Sequence, residues 1–118
     1  MKKVMIVDDF IEYRYEYKAM LEGEYEVELA GSVEEAISKL NSSYDVAIID
    51  VNLDRFNRDN KDGILLAQWI KNKFPHIRVL FVSAIFNKKD IEKVYDSFIQ
   101  KPIIEDVLKK QIKKLIKR

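Results

Sequence analysis

The chain alternates between short apolar runs and stretches in which apolar residues return every three or four positions. Three of the runs, residues 3–7, 46–49 and 78–82, are almost entirely apolar and are bounded by polar residues. Such runs are typical of strands buried on both faces of a parallel sheet. Residues 26–30 instead alternate glutamates with apolar side chains, and residues 97–100 form a short run, so both segments predict edge strands.

Helical spacing of apolar residues follows the predicted strands. Ser32 and Glu35 form a capping box before apolar positions with a helical period, which predicts a helix at about residues 33–41. Further helices are predicted after the first strand, before Pro75, at about residues 88–95 and at the C-terminus. Three of their apolar stripes are Tyr13, Tyr17, Met20 and Leu21; Leu66, Ala67, Ile70 and Phe74; and Ile104, Val107, Leu108, Ile112, Leu115 and Ile116.

The order of these elements, a strand and then a helix five times over, predicts a parallel sheet with right-handed crossovers and helices on both faces. The three most apolar strands, the first, third and fourth, would be central, and the second and fifth would be edges. The predicted fold is therefore α/β and flavodoxin-like, a doubly wound five-stranded parallel sheet of order 2-1-3-4-5 with five helices. Its switch point lies between strands 1 and 3, where we expect a ligand to bind.

Composition favours one folded domain. The chain has 118 residues, of which 47% are hydrophobic and 35% are charged, and these values suit a folded domain better than a disordered chain. The absence of cysteine excludes disulfides and thiolate metal sites. Two aspartates interrupt the first apolar run too early for a signal peptide, and no segment has the length to span a bilayer. We therefore expect a cytoplasmic protein that does not contact a membrane.

The charge is balanced overall but uneven along the chain. The net charge of +1 argues against an attraction of the whole chain to nucleic acid, so no direct nucleic-acid contact is expected. The last ten residues nevertheless contain six basic residues and no acidic one. The apolar stripe in the same segment explains them first as the solvated face of an amphipathic helix.

Acidic side chains occur at the predicted switch point. Asp8 and Asp9 follow strand 1, and Asp50 ends strand 3. Each alone could be a helix cap or a turn residue, but three carboxylates at one sheet edge would repel one another unless a cation compensates. Hard oxygen ligands of this kind suit Mg²⁺. Ser83 and Lys101 end strands 4 and 5, which adds a hydroxyl and an ammonium group at the same edge.

Taken together, the residues at these strand ends resemble the pattern of the response-regulator receiver domain of two-component signalling, a CheY-like family. The pattern consists of Asp8-Asp9, Asp50, Ser83 and Lys101-Pro102, in that chain order. These positions together are far more specific than either dipeptide among them. The resemblance covers the whole chain and implies a single receiver domain over residues 1–118 with no output domain. The alternative is a receiver fragment of a longer DNA-binding or enzymatic response regulator.

The resemblance implies a phosphoacceptor and a metal site. Asp50 would take a phosphoryl group from a phosphohistidine of a sensor histidine kinase or a histidine phosphotransfer protein. Asp8, Asp9, Asp50 and the backbone carbonyl of Asn52 would hold Mg²⁺. The protein would then act as a signalling phosphoacceptor and not as an enzyme, apart from assisting its own phosphorylation and dephosphorylation.

The resemblance also implies how phosphorylation of Asp50 would change the protein surface. Lys101, aimed inward by a cis Lys101-Pro102 bond, would pair with the phosphoryl oxygens, and the Ser83 hydroxyl would donate a hydrogen bond to one of them. Ser83 and Phe98 would form the switch, although Phe98 has a second interpretation as a core-filling residue. The surface of the fourth helix, the fifth strand and the last helix would shift and bind a downstream target protein. The protein would be a monomer or a weak dimer.

Two chain lengths depart from the usual receiver pattern. The segment from Asp50 to Gly63 is longer by about five residues, which predicts a long loop over residues 53–62. The segment from Ser83 to Lys101 is shorter by about four residues, or one helical turn, which predicts a short fourth helix.

Two other classes of function remain as alternatives. A flavodoxin-like mononucleotide binder would have a phosphate loop rich in Ser, Thr and Gly after strand 1, where this chain has two acids and Phe10. A phosphohydrolase that forms an aspartyl phosphate would have a second acid two residues after a nucleophile on strand 1, and Phe10 occupies that position.

Overall fold

Five strands and four helices form within residues 1–53, 60–84 and 95–117, which a computed structural model of the chain describes. The strands are β1 (Lys3–Val7), β2 (Glu26–Ala30), β3 (Val46–Asp50), β4 (Arg78–Ser83) and β5 (Ser97–Gln100). The helices are α1 (Ile11–Leu21), α2 (Val33–Lys39), α3 (Asp62–Lys73) and α4 (Glu105–Ile116). The helix predicted at residues 88–95 and most of the predicted long loop fall outside the described residues.

All five strands belong to one parallel sheet in the order β2-β1-β3-β4-β5, which confirms the predicted order. Every residue of β3 is buried, as its unbroken apolar run indicated, and β2 alternates exposed glutamates with half-buried apolar residues as an edge strand should. Val7 of β1 pairs with Ile49 of β3. The residues that follow this pair, Asp8 and Asp50, therefore lie side by side at the carboxyl edge of the sheet.

Two apolar layers enclose the sheet. The helices α1 and α4 cover one face, where Ile6 and Ile48 are buried, and α2 and α3 cover the other, where Met5 and Ile49 are buried. Successive residues of a strand point to opposite faces, so the residues two after Ile6 and Ile48 point toward the α1 side. Asp8 and Asp50 are therefore on the same side of the sheet as α1.

Local signals explain where α2 begins and ends. The Ser32 hydroxyl accepts a hydrogen bond from the Glu35 N–H at 3.1 Å, as the capping box predicted, while the Glu35 carboxylate accepts from the N–H of Gly31. The helix ends at Lys39, slightly earlier than predicted, because Leu40 adopts an extended backbone with φ −70° and ψ 138°.

The C-terminal helix α4 is amphipathic, as predicted. Leu108, Ile112 and Leu115 are buried against the sheet, and most of the lysines lie on the exposed side. Its first turn carries Glu105 and Asp106 and its last turn carries lysines, an arrangement that complements the helix dipole. A solvated helix face thus accounts for the lysines of α4. Among the described residues, no helix has both the length and the apolar character needed to cross a membrane.

Candidate functional site

Three carboxylates meet at the carboxyl edge of β1 and β3. Oxygen atoms of Asp8, Asp9 and Asp50 lie within 4.8 Å of one another. Asp8 is fully buried, Asp9 is half-buried, and Asp50 is 7% exposed. The fold therefore brings together the three acids that the sequence placed at the switch point, in an arrangement that could hold a metal ion.

Lys101 reaches this cluster from the end of β5. Its Nζ lies 3.0 Å from Oδ2 of Asp50 and 3.2 Å from Oδ2 of Asp8, and its side chain is 9% exposed. The peptide bond to Pro102 is cis, as the resemblance implied. One ammonium group thus faces two of the three carboxylates.

Burial dominates the electrostatics of the site. It raises the pKa of Asp50 to about 6, with Lys101 acting against this shift and the charge of Asp8 adding to it. Burial likewise raises the pKa of Asp8. Burial by itself would lower the pKa of Lys101, but the two carboxylates outweigh it and raise that pKa above its ordinary value. Burial thus disfavours the ionised form of Asp8 and Asp50 despite Lys101, and a further cation beside them would favour that form.

Short-range hydrogen bonds fix the orientation of both buried acids. Oδ1 of Asp8 accepts from the N–H of Phe10 at 2.9 Å, and Oδ1 of Asp50 accepts from the N–H of Asn52 at 3.0 Å. Each acid closes a turn of the Asx type and directs its other oxygen to Lys101. The guanidinium group of Arg14 also donates to the backbone carbonyl of Asp8 at 2.7 Å.

Gly63, at the beginning of α3, lies directly against the end of β3. A Cβ atom at this position would stand 2.2 Å from the carbonyl oxygen of Asp50 and 2.5 Å from that of Val51. Backbone atoms cannot move aside as a flexible side chain can, so any larger residue would displace α3 or the strand end. Gly63 thereby sets how closely α3 approaches Asp50. In the sequence alone, this glycine marks only the end of the predicted long loop.

Asn60 connects the two described ends of that loop. Its Oδ1 accepts from the N–H of Leu53 at 3.3 Å and from the N–H of Asp62 at 3.0 Å. The sequence signal for Asn60 is weak, since an asparagine two residues before a helix is a common turn residue.

The structure gives the positions of the other predicted site residues, and the functional roles of all the site residues stay predictions. Ser83 ends β4 and is buried, and its carbonyl oxygen accepts from the N–H of Lys101 at 2.9 Å. Phe98 is half-buried in β5 and packs against the apolar layer beneath α2 and α3. The switch roles of both residues, and metal binding by the Asn52 carbonyl, stay predictions.

Tyr13 of α1 is a further neighbour of the ammonium group. Nζ of Lys101 lies 3.9 Å from the centroid of the Tyr13 ring. In the sequence alone, Tyr13 belongs only to the apolar stripe of the first helix. Helical spacing could not show this contact, because it joins residues from opposite ends of the chain.

Comparison with known proteins agrees with this geometry. The family model of the response regulator receiver domain matches residues 4–113. The transcriptional regulatory protein CpxR homolog of Haemophilus influenzae is 31% identical in an alignment that covers 100% of this chain and 52% of that protein. The chain therefore spans about half the length of this curated relative.

Solved receiver structures share the fold over nearly the whole chain. A CheY-like receiver domain protein from Methanospirillum hungatei has a TM-score of 0.84 and 26% identity, covering 99% of this chain and 95% of its own. The response regulator TrrA from Thermotoga maritima, solved in complex with Mg²⁺-BeF, has a TM-score of 0.82 and 28% identity, covering 98% and 99% respectively. The acids, the lysine, the strand order and these matches lead to one conclusion: the chain belongs to the response regulator receiver domain family of two-component signalling.

Proposed function

We propose that Asp50 is the phosphoacceptor of this receiver domain and that the donor is a phosphohistidine of a sensor histidine kinase or a histidine phosphotransfer protein. One observation carries the proposal, namely that the nearly buried carboxylate of Asp50 lies 3.0 Å from the Lys101 ammonium and beside two further acids. An anionic phosphoryl group can approach a carboxylate only where positive charge offsets their repulsion.

The chemistry needs no general base. An oxygen of ionised Asp50 attacks the phosphorus atom, the P–N bond to the donor imidazole breaks, and its electron pair returns to the ring, leaving an aspartyl acyl phosphate. An ionised carboxylate is already a nucleophile, so the protein contributes mainly position and charge. Lys101 pairs with the phosphoryl oxygens, and the Ser83 hydroxyl donates a hydrogen bond to one of them after transfer.

The acid cluster fits Mg²⁺. Asp8, Asp9 and Asp50, with the backbone carbonyl of Asn52, supply hard oxygen ligands of the kind that this ion prefers. Burial raises the pKa of Asp8 and Asp50, and a divalent cation bound to these acids would favour their ionised forms. When bound, Mg²⁺ would offset the repulsion between the incoming phosphoryl group and the carboxylates. The complex of TrrA with Mg²⁺-BeF supports this assignment by analogy.

The output of the domain would be a protein contact. Phosphorylation would engage Ser83 and turn Phe98 inward, and the surface formed by the fourth predicted helix, β5 and α4 would then bind a downstream target. We place the domain in the cytoplasm, as a signalling phosphoacceptor that assists only its own phosphorylation and dephosphorylation. We expect a monomer or a weak dimer.

A second candidate is that residues 1–118 are the receiver part of a longer regulator that binds DNA. The specific support is the Haemophilus influenzae relative, a transcriptional regulatory protein of which this chain covers 52%. Under either candidate, residues 1–118 act as one receiver domain with the same phosphoacceptor.

Incubation with acetyl phosphate and Mg²⁺, followed by intact-mass spectrometry, tests the acceptor. We expect the wild-type chain to gain the mass of one phosphoryl group and Asp50→Ala to gain none, because the nucleophile is gone. Asp106→Ala, an exposed acid in the first turn of α4, is the matched control and should be labelled normally. Equal labelling of Asp50→Ala and wild type would assign the acceptor to another residue.

A further inference from the structure

A row of three aromatic rings runs along the beginning of α1. Phe10, Tyr13 and Tyr17 are spaced three and four residues apart, which places them on one side of the helix. The rings of Phe10 and Tyr13 meet edge to face at 5.2 Å, and those of Tyr13 and Tyr17 stack at 5.9 Å. Tyr17 is 1% exposed. The ring of Tyr13 therefore packs between the rings of Phe10 and Tyr17.

The ring of Tyr13 also contacts the ammonium group of Lys101. The distance of 3.9 Å from Lys101 Nζ to the ring centroid is well within the range of a cation–π interaction. The same nitrogen faces Asp50 at 3.0 Å and Asp8 at 3.2 Å. Because the Lys101 side chain is only 9% exposed, water competes little for these contacts. Such a partly desolvated contact is stronger than one at an exposed surface.

We propose that Tyr13 is a positioning residue that holds the Lys101 ammonium in place through the face of its ring. This inference rests on the proposed function of Asp50. When Asp50 becomes an acyl phosphate, the negative charge that faced Lys101 moves outward onto the phosphoryl oxygens, so the ammonium loses a fixed partner. The contact with the ring does not depend on the state of Asp50. Tyr13 thus limits the movement of the ammonium before and after transfer.

Two substitutions of Tyr13 distinguish a role of the aromatic ring face from a role of side-chain size. Phenylalanine at position 13 keeps an aromatic face and removes only the hydroxyl, whereas leucine keeps an apolar side chain but has no ring. A residue that only fills space would tolerate both replacements about equally. A residue that holds the ammonium tolerates only phenylalanine.

Phosphorylation by acetyl phosphate in the presence of Mg²⁺ distinguishes these roles. We expect Tyr13→Leu to be phosphorylated about tenfold more slowly, the factor for the loss of a partly desolvated cation–π contact, and Tyr13→Phe to stay within about twofold of wild type. Tyr15→Leu is the matched control, since it is the same replacement on the same helix at a side chain that is 57% exposed. It should behave as wild type.

A nuclear magnetic resonance measurement of the Lys101 side chain tests the contact without phosphorylation. The face of an aromatic ring shields nearby protons, so we expect the ε-methylene signals of Lys101 to be shifted upfield in wild type and Tyr13→Phe and to return toward ordinary values in Tyr13→Leu. Should Tyr13→Leu fail to fold, wild type and Tyr13→Phe still decide the matter, and unshifted signals in both would overturn the proposal.

Two further results would also overturn it, namely a wild-type rate in Tyr13→Leu or an equal loss of rate in Tyr13→Leu and Tyr13→Phe. Failure of the proposed function is a different result, in which wild type itself is not phosphorylated on Asp50. In that event the Lys101 signals still decide whether the ring holds the ammonium.

Discussion

Under the proposed function, Asp50 combines two properties that oppose each other, since it is almost completely buried and yet would have to be ionised to act as a nucleophile. Burial raises its pKa to about 6 from an ordinary value of 3.8, and the nearby Lys101 only partly counteracts this effect. In the metal-free protein at neutral pH, the ionised carboxylate therefore opposes folding. A bound cation would relieve this cost, which links the metal site to the stability of the domain.

The pH dependence of stability should report this opposition. The pKa of Asp50 is higher in the folded protein than in the unfolded chain, so the folded state binds more protons between about pH 4 and pH 6. The contribution of Asp50 to stability is thus fully present below its unfolded pKa and is lost as the pH rises through about 6. We expect Asp50→Asn to raise the free energy of unfolding at neutral pH, in chelator, by about 1 to 3 kcal/mol, and the difference to shrink toward pH 4.

Urea unfolding at a series of pH values measures this difference. Glu28→Gln, which removes an exposed carboxylate from the edge strand β2, controls for the general loss of one negative charge. If metal-free Asp50→Asn were no more stable than wild type at neutral pH, burial would not be the dominant influence on Asp50.

At the scale of elements, Asp96 joins three pieces of the fold at the end of the sheet opposite the site. Its Oδ2 accepts from the N–H of Val79 at 2.8 Å and forms an ion pair with Lys71 of α3. Its own N–H donates to the carbonyl of Val79 at 2.8 Å, and Nη1 of Arg78 lies 3.8 Å from its Oδ1. One half-buried carboxylate thus holds α3, the start of β4 and the approach to β5 together.

Replacement of Asp96 should lower the free energy of unfolding without changing the phosphorylation of the domain. We expect Asp96→Ala to lower the free energy of unfolding by about 2 to 3 kcal/mol, because the Val79 N–H and the Lys71 ammonium lose their acceptor. Asp96→Asn keeps an acceptor for Val79 and should lose less. Urea unfolding gives the free energies, and labelling by acetyl phosphate should be unchanged in both folded variants. A loss below about 0.5 kcal/mol in Asp96→Ala would show that the junction is not stabilising.

The elements themselves followed from the sequence because burial on both faces leaves a recognisable apolar run. The run at residues 46–49 predicted β3, and the alternation at residues 26–30 predicted an edge strand, because each pattern directly reflects exposure to water. The convergence of the acids followed from the strand order. The contacts of Asp96, Tyr13 and Asn60 could not be predicted in this way. Each depends on where side chains from distant or turn segments meet, and such contacts produce no periodic pattern of apolar residues in the sequence.

At the scale of the whole molecule, metal binding should appear as added stability. A cation that binds only the folded state raises the free energy of unfolding by about 1.4 kcal/mol at ten times its dissociation constant. We expect Mg²⁺ to raise the melting temperature of the wild-type domain and to have little effect on Asp9→Asn, which lacks one of the three carboxylates. Thermal unfolding followed by the fluorescence of Trp69 provides the measurement.

Sodium chloride at matched ionic strength separates binding from simple screening of the acidic edge. An equal shift of the melting temperature in wild type and Asp9→Asn would indicate that the cation acts elsewhere on the chain.

The hydrogen bonds of Asn60 have a consequence for how α3 is held against the site. Because one side-chain oxygen accepts from the backbone N–H groups of both Leu53 and Asp62, it ties the chain just after β3 to the first residue of α3. A side chain without an acceptor at position 60 would leave these two backbone donors without that partner. Asn60 thus helps to keep the start of α3, and with it Gly63, against the carbonyl oxygen of Asp50.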